Sequence, residues 1–328
     1  MDLNNSEFRK DLVSGDWVLI SPKRFNRPDQ FKEKVKRKIA PKAGCPFDNP
    51  QKTGNNQPFI VYPDLKNWEI QVVQNKFPAV VHKENICASE FKRGPFPVVD
   101  GVGHHDIVIT KDHYKNFAHL SKKEALQVFK VFKERYEVLS ADKCLQYIFI
   151  FHNWGPKGGA SIFHPHYQII SLPIIPPDVS RSLTGSLRYF KENKKCVHCE
   201  MIKYEVKEKK RIVYENKDVE VCVPFVAREP FELRIFPKKH LPYFEKTSDH
   251  IMGHIVDALQ NVLLKLEKKL GDPDYNFFIH TAPVKGNHDH YHWHIEILPK
   301  FSTSAGVELG TGIEITTVDP EMAAKLLR

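Results

Sequence analysis

The feature that most limits what this chain can fold into is that it is written twice. HPHYQIISLP (164–173) returns as HYHWHIEILP (290–299), and matching their Leu-Pro ends pairs His166 with His292 at an offset of 126. YIFIFHN (147–153) returns as YNFFIHT (275–281), and His113, which precedes one amphipathic stretch, has a counterpart in His240 at an offset of 127. CPFD (45–48) and CVHC (196–199) each stand early in a half. Near-equal offsets across separate features mark a duplicated supersecondary unit, so each half must build the same substructure.

The unit reads as α+β. Ala125, Phe129, Phe132, Tyr136 and Leu139 form one stripe of a helix over 122–139, with Ser121 as its cap. Ile251, Ile255, Leu259, Val262, Leu266 and Leu270 do the same over 250–270. β-rich runs flank both helices at 106–110, 147–151, 231–236 and 294–298. The expected architecture is two fused repeats, 1–180 and 190–328, each an antiparallel sheet with packed helices. A last short helix starts near Pro320, where proline suits a first turn.

The 328 residues, 41% of them hydrophobic, suffice for such cores, and no apolar run nears the roughly 20 residues a membrane helix needs. Lys and Arg (49) exceed Asp and Glu (40) by nine, but they alternate with acids, as in KYEVKEKKR (203–211). That is a solvated surface and not a nucleic-acid stripe. The N-terminal MDLNNSEFRKDL is not a secretory signal. The expectation is a cytoplasmic protein with no membrane or nucleic-acid partner.

Chemistry concentrates at 153–168. Side chains two apart on a strand share a face, so His164, His166 and Gln168 are expected together, and three buried polar groups are costly unless paired or used. Before them, NWGPKGGAS (153–161) offers Gly158 and Gly159 for close backbone approach and the Ser161 hydroxyl, a loop suited to an anionic phosphate. No Gly-Lys-Ser/Thr follows, so it is not a Walker A loop. A neutral imidazole can attack phosphorus and form a transferable phosphoramidate, with Gln168 donating its amide to a phosphate oxygen.

Cys196 and Cys199 form a metal half-site that His240 and His292 complete as a tetrahedral Cys₂His₂ set, with zinc favoured over a disulfide. The first-half counterparts are Cys45, Asp48, His113 and His164, a weaker set because carboxylate binds zinc less tightly than thiolate. Up to two structural zinc ions per chain are expected. Cys87, Cys144 and Cys222 sit among apolar residues and are expected as core thiols.

In order and spacing, these motifs resemble the galactose-1-phosphate uridylyltransferase family, the branch of the histidine-triad superfamily with two fused repeats. FRKDLVSGDWVLISPKRFNRP (8–28), CPFD, VVQNKFPAV (72–80), GHHDIVI (103–109), the glycine loop with its His-Pro-His-x-Gln, CVHCEMI (196–202), VPFVAREPFELRIFPKKH (223–240), HWHIEILP (292–299) and GVELGTG (306–312) carry the resemblance over nearly the whole chain. It implies that His166 attacks the α-phosphorus of UDP-glucose, releases glucose 1-phosphate, and passes UMP from a uridylyl-histidine to galactose 1-phosphate. It also implies phosphate-holding roles for Gln168 and Ser161 with Asn153 nearby, a nucleotide pocket at Asn75 and Phe77, and phosphate binding by Arg24 and Arg27. Both metal sets are implied as well, together with a homodimer whose active sites borrow residues across subunits. Two departures stand out: Asp48 replaces a common second cysteine, and Val307 replaces an aromatic before the sugar-recognising Glu308. Relatives with a similar GTG-containing tail act on ADP-glucose as phosphorylases, which is the first alternative. A non-catalytic zinc-stabilised nucleotide-binding module is another, and a dinucleotide hydrolase is a third, disfavoured by Gln168 in the third histidine's place.

Overall fold

The computed structural model describes residues 5–23, 37–84, 86–301 and 303–328. The chain opens with strands β1 (Glu7–Lys10), β2 (Trp17–Ile20), β3 (Ile60–Tyr62) and β4 (Ile70–Gln74), the exposed hairpin β5 (Glu90–Arg93) and β6 (Phe96–Val99), and β7 (His105–Thr110). Helix α1 (Lys122–Ser140) leads to β8 (Tyr147–Trp154) and β9 (His166–Leu172), and helices α2 (Pro177–Asn193) and α3 (Val197–Glu208) join the halves. The second half repeats the plan with β10 (Ile212–Glu215), β11 (Val219–Cys222), β12 (Leu233–Pro237), α4 (Asp249–Leu270), β13 (Tyr275–His280) and β14 (His294–Pro299). It closes with α5 (Gly306–Thr311), β15 (Glu314–Thr316) and α6 (Pro320–Leu327).

The two repeats share one sheet. Its ten strands run β10-β11-β12-β14-β13-β8-β9-β7-β4-β3, and β13 pairs with β8 antiparallel across the seam, Phe278 opposite Phe151. Strand period two then sorts the side chains. Ile148, Ile150, Tyr167, Ile169, Phe277, Ile279, Ile295 and Ile297 face α1 and α4 in one continuous core. His166, Gln168, His294 and Glu296 are left on the opposite face.

Both long helices are fixed locally before they pack. Ser121 Oγ accepts the Glu124 N–H at 3.2 Å while Glu124 Oε2 accepts the Ser121 N–H at 2.7 Å, a reciprocal cap on α1. Ser248 caps α4 at its start, and Gly271, at φ 78°, ends it in the left-handed turn that glycine adopts without a Cβ clash. The α1 stripe buries Phe129, Phe132 and Tyr136 as its spacing requires, and Asp319 caps α6 through the Met322 N–H.

Three sequence readings are corrected. His164 precedes β9 instead of lying on it, and its ring turns away toward Cys45. Cys87 and Cys144 form a disulfide that joins the loop after β4 to the α1–β8 turn, with Cys87 exposed, so neither is a core thiol; Cys222 is buried as expected. Matching the halves on their Leu-Pro ends misplaces the register by two. His164 Nε2–H donates to Thr110 O (2.7 Å) as His292 Nε2–H donates to Pro237 O (2.9 Å). His166 Nδ1–H donates to His164 O as His294 Nδ1–H donates to His292 O. The counterpart of His166 is therefore His294, at an offset of 128.

Candidate active site

His166 begins β9, opposite Ile109 of β7, and is 7% exposed. Its Nδ1–H is committed to His164 O at 2.9 Å, which makes Nε2 the nitrogen that carries the lone pair. Burial lowers its pKa against that hydrogen bond, so the neutral, nucleophilic ring is the favoured form. Phe47, carried by the CPFD turn, packs on the ring at 5.0 Å. From the helix side, His152 Nδ1–H donates to His166 O at 2.7 Å and holds the strand itself.

Gln168 shares that face two residues on, and it is not free. His105, at the start of β7, accepts the Ala79 N–H on Nδ1 at 3.0 Å, so its Nε2 carries the hydrogen and donates to Gln168 Oε1 at 2.8 Å. With its carbonyl oxygen so engaged, the Gln168 amide is turned to present its N–H groups. Asn75 Nδ2 lies 3.1 Å from the same His105 nitrogen, and Asn75 Oδ1 accepts the Phe77 N–H, leaving the Phe77 ring 83% exposed beside the site. The sequence reading passed over His105; its signal was a second histidine, next to His104, on a strand destined for burial.

Asn153 follows His152 on β8 and so faces the His166 side, where its Oδ1 accepts from Asn276 Nδ2 at 2.8 Å. Asn276 also donates to Gly158 O at 2.6 Å, which ties the glycine loop to β13. A Cβ on Gly158 would come within 2.8 Å of Tyr275 O, so this close approach requires glycine. Ser161 is exposed at the end of the loop. Glu308 lies on α5, where its carboxylate accepts the Ala305 N–H at 2.9 Å, and no contact joins it to the His166 group among the described residues. Arg24 and Arg27 lie outside the described residues.

Two Cys/His sets flank the histidine strands. The ligand atoms of Cys196, Cys199, His240 and His292 all lie within 4.8 Å of one another. His240 and His292 each donate Nε2–H to a backbone carbonyl (Asp289, 2.8 Å; Pro237, 2.9 Å), which points Nδ1 at Cys199 Sγ (3.3 and 3.5 Å). Outer hydrogen bonds of this kind orient metal-ligating histidines. A hydrogen bond from Cys199 pushes the Cys196 thiol down in pKa toward the thiolate that a metal needs.

The first-half set is smaller. Cys45, His113 and His164 form such a group, with His113 Nε2–H on Ala40 O at 3.0 Å and its Nδ1 buried without a partner. Asp48 stays outside it, with Oδ1 3.2 Å from Lys42 Nζ. The donor sets and the orphaned ring nitrogen fit a tetrahedral zinc in each half, the first with one position left for a rotated Asp48 or a water.

The second half keeps the imidazole but replaces the amide beside it with a carboxylate. His294 stands in the place of His166, and Glu296 in that of Gln168, beside a cavity of about 80 Å³. Burial opposes ionisation of Glu296, but Arg228 and Arg234 overcome it and hold the carboxyl well below its usual range. Arg234 Nε sits 3.1 Å from Glu296 Oε1, and Arg228 pairs with Oε2. Both guanidinium groups are thus engaged internally, and a carboxylate faces the space where an anionic phosphate would sit.

The galactose-1-phosphate uridyl transferase N-terminal domain family matches residues 1–176, and the corresponding C-terminal domain family matches 184–317. ADP-glucose phosphorylase of Arabidopsis thaliana is 34% identical over 98% of this chain and 92% of its own. Galactose-1-phosphate uridylyltransferase of Thermotoga maritima is 28% identical over 98% of each chain. The crystal structure of an ADP-glucose phosphorylase from Arabidopsis thaliana with bound ADP-glucose superposes with a TM-score of 0.84 at 32% identity, covering 99% of both chains. A solved uridylyltransferase superposes at 0.76 with 26% identity, covering 98% of this chain and 97% of the other.

Proposed function

The chain belongs to the galactose-1-phosphate uridylyltransferase family, whose members are nucleotidyl-transferring enzymes, and from that premise we propose that it moves a nucleotidyl group through His166. The observation that supports this most is the fixed tautomer: Nδ1–H on His164 O leaves Nε2 with its lone pair on the face that also carries Gln168. In the first step Nε2 attacks the α-phosphorus of UDP-glucose. The bond from phosphorus to the β-phosphate oxygen breaks, glucose 1-phosphate leaves, and a uridylyl-histidine remains. A phosphate oxygen of galactose 1-phosphate then attacks that phosphorus, the P–N bond breaks, and UDP-galactose forms. The N–H groups of Gln168, turned outward by His105, and the Ser161 hydroxyl hold the α-phosphate oxygens, while exposed Phe77 offers a face to the base. Cys45, His113 and His164 would hold a zinc that braces the turns carrying Phe47 and His164, and Cys196, Cys199, His240 and His292 would hold a second in the other half.

A second reading shares the first half-reaction: adenylyl transfer from ADP-glucose, with inorganic phosphate taking the AMP to give ADP. The relationship to a plant ADP-glucose phosphorylase favours it, as does Val307 in the sugar-recognising motif. The test is incubation with radiolabelled UDP-glucose or ADP-glucose, followed by denaturation and counting of protein-bound nucleotide. Labelling that vanishes in His166→Ala supports the histidine mechanism, and equal labelling of the variant overturns it. The preferred nucleotide, and then product from galactose 1-phosphate or from phosphate, separates the two readings.

A further inference from the structure

Away from both histidine strands, we propose a third metal site, for a zinc-class divalent cation, built from Asp218, His250 and His254. His250 and His254 are one turn apart near the start of α4, the i, i+4 spacing that places two imidazoles on one helix face. The β10–β11 turn brings a carboxylate to them: Asp218 Oδ2 lies 3.0 Å from His250 Nε2 and 3.4 Å from His254 Nδ1. In a tetrahedral site with metal–ligand bonds of roughly 2.0–2.1 Å, neighbouring ligand atoms sit about 3.3 Å apart, close to both separations. The rings are 4.7 Å apart and tilted by 48°, so they are not stacked, and His254 Nδ1 also lies 3.3 Å from Asn216 Oδ1, a contact that a bound metal would replace.

The turn is held in register with the helix by groups that are not ligands. Asn216 Oδ1 accepts the N–H groups of Asp218 (3.2 Å) and Val219 (2.9 Å), and Asn216 Nδ2 donates to His254 O at 3.0 Å. Lys238 fixes the turn from the other side, its N–H on Asp218 O at 2.8 Å and its Nζ on Asn216 O at 2.7 Å. Holding ligands on rigid supports lowers the ordering cost of binding. The positive end of α4 opposes a cation, and Asp218 together with Asp249 in the first turn offsets it. Lys238 Nζ, which packs against the turn from the end of β12, is paired with Glu215 at 2.8 Å. Two imidazoles and a carboxylate suit zinc or its substitutes, and the half-exposed setting leaves the remaining positions to water. A second two-histidine group, His82, His104 and Asp142, is poorer: its rings stack at 4.2 Å, and His104 Nε2 is 3.9 Å from the carboxylate.

The test adds cobalt(II) to protein whose Cys/His sets are already metal-filled, counts bound metal after dialysis, and records the absorption spectrum. The expected result is one further equivalent with visible d–d absorption and no added thiolate-to-cobalt charge transfer. That equivalent is lost in His254→Ala and in Asp218→Asn, which keeps the side chain's shape, and is kept in His82→Ala. Added zinc raises the melting temperature of wild type, and not of either site variant. No further equivalent in wild type, its retention in His254→Ala, or its loss in His82→Ala overturns the assignment.

Discussion

Replacing His105 by phenylalanine separates positioning from chemistry at the candidate active site. The imidazole sits between the Ala79 N–H and Gln168 Oε1, at 3.0 and 2.8 Å, and touches no reacting atom. Removing Gln168 altogether, as alanine, deletes the donor proposed for the phosphate and is expected to slow nucleotidylation about 10²–10³-fold. His105→Phe keeps that amide but frees it to turn. One net hydrogen bond of about 1 kcal/mol held the orientation, so labelling slows only about three- to tenfold. The orphaned Ala79 N–H costs a further 1–3 kcal/mol or so, read as a lower melting temperature and not as a slower step. His105→Gln, which offers an amide N–H to Gln168 Oε1, recovers part of the rate. The assay is quenched-flow labelling with the radiolabelled sugar nucleotide at saturating substrate. The decisive comparison is the double variant: with Gln168 already alanine, adding His105→Phe changes the rate less than about twofold. If the two losses multiply, His105 acts independently of Gln168 and does not position it.

Glu220, on β11, is buried, and burial with Glu205 nearby pushes its carboxyl up to about 8. The folded state holds that proton more tightly than the unfolded chain, so the burial penalty is absent below about pH 4.5, grows as pH rises through 8, and reaches a few kcal/mol, taking ~1.4 per pKa unit. Glu220→Gln is therefore expected to melt higher than wild type at pH 8.5 and close to it at pH 4.5; an equal difference at both pH values refutes this. Gly103→Ala places a Cβ 2.1 Å from Ser171 O, beside the strand that carries His105, and is expected to cost about 1–3 kcal/mol in denaturant unfolding. For the first-half metal set, elemental analysis should find one metal equivalent lost in Cys45→Ala and retained in Asp48→Ala, because Cys45, His113 and His164 form the ligand group without Asp48 and water can take the fourth position.

The sequence by itself determined the duplication, the two amphipathic helices with the Ser121 cap of the first, the strand face of His166 and Gln168, and the Cys196/Cys199/His240/His292 set. Each of these is written in local periodicity, in capping residues, or in short ligand spacings. The two-residue ambiguity in the register of the repeat shows the limit. A slip of two along a strand preserves which face every side chain occupies, so the Leu-Pro match gave the right faces and the wrong equivalents. The backbone partners of His164 and His292 decide for an offset of 128, which YIFIFHN and YNFFIHT also carry, over 126. Tertiary structure alone decided that the two repeats merge into one sheet across β8 and β13, because edge-to-edge pairing leaves no mark in either strand's pattern. It also decided that Cys87 meets Cys144, that His105 holds Gln168, and that Asp218 meets two histidines of α4. Those partners lie tens of residues apart, and no periodicity in the chain records a contact that only the folded sheet and its helices bring within hydrogen-bonding distance.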